Sequence, residues 1–172
     1  MKPSTMTASV ALQRVTLSDA SALIAANLAS QGHHLPWVTS FTDQAGFDAW
    51  FGRSVTGPNV SLIARADDGG IVGVINISEI AMGAFQSAYL GYYGMIQYAG
   101  QGLMSEALRQ AIAFAFDDLG LHRLETNIQP GNVASIALVK RLGFRQEGFS
   151  ERYLKIGGQW RDHERWALLC DS

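Results

Sequence analysis

Three features of the sequence predict a mixed α/β fold built around one sheet. Residues 88–129 read as strand, glycine loop, helix and strand, which makes one parallel crossover. Paired strand patterns lie on both sides of that unit. Asp67-Asp68-Gly69-Gly70 and Gly157-Gly158 supply the turn residues of tight hairpins. The expected sheet is therefore mostly antiparallel, with one parallel pair and flanking helices.

Residues 10–15 alternate apolar and polar and form the first expected strand. Ser18 is then the expected cap of a helix, with Asp19 in its first turn and Ala22, Leu23, Ala26 and Ala29 on its apolar stripe. His33-His34-Leu35-Pro36-Trp37 breaks the pattern. Thr42 and Asp43 open a second helix, in which Phe47, Trp50 and Phe51 recur at helical spacing. Residues 60–66 and 71–80 are two strands of a hairpin.

Residues 88–96 carry the aromatic and β-branched content of a buried strand. Leu103, Ala107, Leu108, Ala111, Phe114, Ala115 and Leu119 then mark a helix over about 102–119. Residues 123–129 alternate again. Asn132 caps a short helix to Leu142, Phe144 begins the last β section, and residues 153–156 and 160–169 close it as a hairpin. Residues 1–172 are expected to form a single domain, with residues 1–9 a flexible lead.

With 172 residues and 48% hydrophobic composition, such a domain has ample core. The 13 basic and 15 acidic side chains nearly cancel and form no run, which argues against a nucleic-acid or anionic-membrane surface. Cys170 is the only cysteine, so an internal disulfide is excluded and a reducing cytoplasm is expected. The N-terminal residues show neither a signal peptide nor a membrane span. His33 and His34 have no third ligand at useful spacing, so no metal is expected.

The chemistry concentrates in Gln97-Tyr98-Ala99-Gly100-Gln101-Gly102-Leu103. Glycines ahead of a helix let an anion approach free backbone amides at the positive end of the helix dipole. A Walker-type loop needs a lysine where Leu103 stands, and the dinucleotide fingerprint needs a third glycine where Ser105 stands. The Gln97-x-x-Gly100-x-Gly102 spacing instead resembles the pyrophosphate loop of GNAT acyltransferases.

Asn132-x-x-Ser135 and Leu142-Gly143-Phe144 also resemble GNAT segments. Residues 88–92, 101–108, 122–123 and 158–163 are similar to the RimJ/RimL group of that family, most of all to its RimJ branch, which acetylates the N-terminal alanine of a ribosomal protein. The resemblance implies a GNAT fold whose parallel strand pair splays apart. It implies acetyl-CoA as cofactor, held by Gly94, Met95, Ile96, Gln97, Gly100, Gln101, Gly102, Leu103, Asn132 and Ser135.

Acetyl transfer to an amine needs a neutral nucleophile, polar support for the carbonyl and a proton for the departing thiolate. Many GNAT enzymes supply that proton from a tyrosine, but Val139 stands at the matching position, which leaves Ser135 as the expected substitute. Glu79 and Glu125 are the expected bases, while Leu154 replaces a glutamate found in some relatives. Trp37 and Tyr92 are the expected acceptor-binding residues. The expected acceptor is a protein N-terminus attacking directly. A small amine such as a polyamine, or a non-catalytic acyl-CoA sensor, remains the alternative, and acidic groove residues would favour the polyamine.

Overall fold

The computed structural model describes residues 9–171, and the expectation of a flexible lead falls, for residues 1–8, outside them. The elements are β1 (Val10–Arg14), α1 (Ala20–Ala29), α2 (Gln31–His34), α3 (Gln44–Val55), β2 (Val60–Ala66), β3 (Ile71–Ala81), β4 (Ser87–Gly94), α4 (Leu103–Ala113), β5 (Arg123–Ile128), α5 (Val133–Arg141), β6 (Arg145–Ile156) and β7 (Gln159–Leu169). Seven strands form one sheet in the order β1-β2-β3-β4-β5-β7-β6. Every neighbouring pair is antiparallel except β4 with β5.

Residues 60–64 of β2 and 71–75 of β3 are buried without alternation, the signature of strands covered on both faces. Gly73 lies against Met104 of α4, while Asn76, of opposite parity, accepts a 3.3 Å hydrogen bond from Trp50 Nε1 of α3. The two helices therefore cover opposite faces. Leu23 and Phe47 complete the helical layer on the α3 side, both fully buried.

Several local expectations are corrected. The first helical segment is capped by Thr16 rather than Ser18: its amide donates to Asp19 Oδ2 at 2.7 Å, over a short 3₁₀ turn at Leu17–Asp19. Asp19 also pairs with Arg65 at 2.9 Å, which explains its burial. The strand expected to reach residue 96 ends at Gly94, and Ile96–Tyr98 is a 3₁₀ turn. The helix after the loop loosens into a π-helical turn at Phe114–Asp118. The closing hairpin is longer than its alternating ends suggested, because two register shifts interrupt the pattern in β6.

The parallel pairing is brief. Ser87, Ala88 and Tyr89 face Arg123, Leu124 and Glu125, and there the ladder stops. Beyond it β4 follows β3 while β5 follows β7. The sheet splits at its middle, and the site lies in that split.

Candidate functional site

The edge of β4 beyond the split has a definite polarity. Gln86 O accepts from His122 N at 2.7 Å, so its backbone points toward β5. Backbone groups alternate edges along a strand, and residues 88, 90, 92 and 94 point the same way. Met95 confirms the alternation, donating in the other direction to Val72 O at 2.8 Å. The amides of Tyr92 and Gly94 thus face the gap that β5 has left.

This changes the expected amide set. Met95 N is committed to β3, and Ile96 N donates to Ser30 Oγ at 3.0 Å, so neither amide is free for a ligand. No bulge occurs at Gly94. The β3–β4 register runs unbroken from Gly73↔Gly94 to Ser78↔Tyr89, and its irregularity lies farther along, between Ser78 and Ala81.

A groove of about 430 Å3 opens on one side of the split, lined by Gly94, Met95, Gly100, Gly102, Leu103 and Arg141 among others. Gly100 and Gly102 hold φ of 74° and 75°, a conformation few side chains adopt, and a Cβ on either would meet no protein atom within 4 Å. Gly102 is the N-cap of α4, whose first amides have no intrahelical acceptor. Gln97 and Gln101 are not among the groove residues; instead Gln101 Nε2 donates to Gln97 O at 3.3 Å, bracing the loop from outside. Ile96 is likewise outside, and half exposed.

A second cavity of about 570 Å3 lies on the α3 side, with Trp37, Trp50, Tyr92, Leu154 and His163 in its wall. Asn132, Ser135 and Tyr92 border both spaces. Asn132 caps α5 by accepting from Ser135 N at 3.3 Å. The Tyr92 and Ser135 hydroxyls are 2.6 Å apart, and burial pushes the Tyr92 phenol up to about 12. Trp37 is held from below, its carbonyl accepting from Gln129 Nε2 at 3.4 Å and its ring packed over Gly131.

The two expected carboxylates are not brought here. Glu79 is exposed at the end of β3, where its amide donates to Asn59 Oδ1 at 3.1 Å. Glu125 is bound by Arg123 at 2.7 Å, and Arg123 also pairs with Glu147. Neither lines either cavity. Among the described residues, the second cavity has no carboxylate in its wall, and Arg53 is its one lysine or arginine.

Two histidines were missed as site residues. His34, weighed in the sequence only as a metal ligand, is buried beside Tyr93 with ring centroids 4.7 Å apart. Its Nε2 lies 2.9 Å from Gly94 O, which can only accept, so Nε2 carries the proton and Nδ1 accepts from Ser40 Oγ at 2.9 Å. Burial holds its pKa below the ordinary value. His163 is also buried, with Nδ1 2.9 Å from the Arg161 carbonyl. Its place in an alternating β segment was the available signal.

The split parallel pair carries a glycine loop and helix start on one side and an aromatic cavity on the other. The acetyltransferase (GNAT) domain model matches residues 9–145, and the chain belongs to the GNAT acetyltransferase family. The [ribosomal protein uS5]-alanine N-acetyltransferase of Escherichia coli is 44% identical over 102 residues, covering 59% of this chain and 53% of that protein. The probable N-acetyltransferase YjcK of Bacillus subtilis is 36% identical over 107 residues, covering 62% of this chain and 59% of that protein. The chain thus spans little more than half the length of these curated relatives.

Among solved structures, Mycobacterium smegmatis RimJ in complex with CoA-disulfide superposes with a TM-score of 0.85 at 30% identity, covering 94% of this chain and 82% of that one. The fold is the GNAT fold expected from the sequence. A spermidine N-acetyltransferase from Vibrio cholerae, with CoA and spermine, shares that fold at TM-score 0.79 but only 16% identity, covering 93% and 95% of the two chains.

Proposed function

We propose that this protein is an acetyl-CoA-dependent N-acetyltransferase that modifies a protein N-terminal α-amine by direct transfer. The reading rests on one observation: the glycine-loop groove and an acceptor cavity without carboxylates meet at the Tyr92–Ser135 hydroxyl pair.

The groove suits coenzyme A. Open backbone at Gly100 and Gly102, the first amides of α4 and the Arg141 guanidinium together offer donors and positive charge to phosphates. The amides of Tyr92 and Gly94 extend that row of donors along β4 toward the acceptor side. Bound there, acetyl-CoA supplies an acyl group activated as a thioester. In this reading Tyr92 and Ser135 supply the proton for the departing sulfur, and Asn132 fixes the helix start that carries Ser135.

The acceptor side points to a peptide. A polyamine carries several positive charges and calls for carboxylates, whereas the described wall of this cavity offers Arg53 and none of the opposite sign. Trp37, Trp50 and Tyr92 give apolar surface for an extended chain, with Asn127 and Gln129 as amide partners. An α-amine, with an ordinary pKa of about 7.7–8.0, is roughly a quarter neutral at pH 7.4, while a lysine amine at about 10.4 is roughly one part in a thousand neutral. A site without a lining carboxylate base is therefore matched to an N-terminus. The lone Cys170 is consistent with work in a reducing cytoplasm.

The test is coenzyme A release with a panel of N-terminal peptides, the product mapped by mass spectrometry, alongside spermidine and free lysine. Acetylation at the α-amine of at least one peptide is expected. Turnover of free amines with no peptide accepted would overturn the reading.

A further inference from the structure

The base that the sequence sought among carboxylates has no carboxylate to fill it. We propose that His163 is the general base that deprotonates the acceptor amine; this rests on the acetyl-transfer reading above and adds a residue to it.

His163 lies on β7 with its side chain in the wall of the acceptor cavity, and its residue surface is only 3% exposed. Nδ1 lies 2.9 Å from the carbonyl oxygen of Arg161, two residues earlier on the same strand. A carbonyl only accepts, so Nδ1 carries the hydrogen, and in the neutral ring Nε2 is left with its lone pair. Among the described residues, Nε2 has no hydrogen-bond partner, and it is not one of the enclosed unpartnered atoms, which are Asn27 Oδ1 and Arg161 Nε. A buried imidazole whose far nitrogen is fixed by a carbonyl, and whose near nitrogen is unbonded at a cavity wall, has the form of a general base with its orienter.

The surroundings keep the ring in this pose. Tyr153 meets it at 64° with centroids 6.3 Å apart, and Ser150 stands opposite it in the β6–β7 ladder. No carboxylate is in the described wall to compete for the amine proton. In the step, an N–H bond of the acceptor ammonium breaks, its electron pair stays on nitrogen and the proton forms the Nε2–H bond. The proton then passes to solvent, returning the ring to the neutral tautomer.

The test compares His163→Ala and His163→Gln with the wild type, using whichever amine the wild type acetylates. Both variants should lower kcat/KM by about 10²-fold or more, with acetyl-CoA affinity by calorimetry unchanged. Added imidazole should restore part of the lost rate in His163→Ala but not in His163→Gln, whose side chain fills the space. An acceptor analogue of low basicity, such as a peptide beginning with a hydrazino acid, should lose far less. A wild-type rate in His163→Ala, or an equal loss for strongly and weakly basic acceptors without imidazole rescue, would overturn the proposal. Failure of the wild type on every peptide, with turnover of a free amine, would instead remove the N-terminal reading and leave His163 testable on that amine.

Discussion

Tyr92 Oη and Ser135 Oγ stand 2.6 Å apart across the split in the sheet, joining a strand to a helix start 43 residues away. Among the described residues they form the only hydrogen-bonded hydroxyl pair that borders both cavities. Burial raises the phenol, opposed in part by its bond to Ser135, so Tyr92 stays protonated throughout the neutral range. Both members thus keep their hydrogens, and either can donate to the other across the 2.6 Å contact.

Removing either member should break the same unit. Ser135→Ala and Tyr92→Phe are each expected to lower kcat on the order of tenfold or more, with acetyl-CoA affinity little changed. The double variant should be no worse than the poorer single one, since residues acting as one unit are non-additive. Steady-state kinetics on the three variants, with calorimetry for the cofactor, checks this. Full additivity would mean that the two hydroxyls act separately.

How far this site was legible differs from residue to residue. The loop was legible because glycine, a helix cap and a dipole act over seven neighbouring residues, which one stretch of sequence contains. Asn132 and Ser135 were legible for the same reason, as a cap and its bonded amide. Glu79 and Glu125 fall outside both cavities, because period-two alternation gives the face of a strand but not which cavity that face meets; Arg123, two residues before Glu125 on β5, holds that carboxylate and also reaches Glu147 of β6 across β7. His34 was hidden because its partners, Gly94 and Ser40, are supplied by a chain turn and by a strand 60 residues away. The fold itself was more legible, since one crossover and two glycine turns fix most of its connections.

His34 links the acceptor side to the cofactor side and should make the protein sensitive to acid. Burial is the main cause of its lowered pKa, with His33 adding to it and the Gly94 bond opposing. Above its ordinary value near 6.5 both folded and unfolded chains carry it neutral. Below that value the unfolded chain takes up a proton first, so stability falls as pH drops through 6.5 toward the lower folded value. Thermal melts between pH 7.5 and 5.5 should show this decline. His34→Gln should cost about 1–3 kcal/mol at pH 7.5 by leaving buried polar partners unmatched, and its decline below pH 6.5 should be shallower. Parallel curves would exclude His34 as the source.

Gly102 offers a clean test of the groove, because a residue there meets no protein atom and needs only a positive φ. Asn and Asp tolerate that conformation better than most side chains. Gly102→Asp and Gly102→Asn should therefore fold alike while differing by one charge at the start of α4. The Asp variant is expected to bind acetyl-CoA at least about tenfold more weakly than the Asn variant, a difference that should shrink at high salt. Equal affinities would mean that no anion is held at this helix start.

The loop is also held from behind, and that support should control its order. Tyr98 Oη lies 2.9 and 3.0 Å from the two oxygens of Asp68 in the β2–β3 turn, fixing the 3₁₀ turn that precedes Gly100. The Gly70 amide, at 2.9 Å, is the larger cause of the lowered Asp68 pKa, and the Tyr98 hydroxyl is the next. A carboxylate lowered in this way stabilises the fold above its ordinary value near 3.8, and that contribution is lost as pH falls through the folded value. Tyr98→Phe should raise the Asp68 pKa in an NMR titration and speed amide exchange over residues 97–102. It should weaken acetyl-CoA binding a few-fold while leaving the Tyr98 ring in the groove wall. Gly70→Ala should do more, because its Cβ would fall on the space that the Tyr98 hydroxyl occupies and the ring would have to leave its buried seat. An unchanged exchange rate and affinity in both variants would show that the loop holds its shape without the Asp68 anchor.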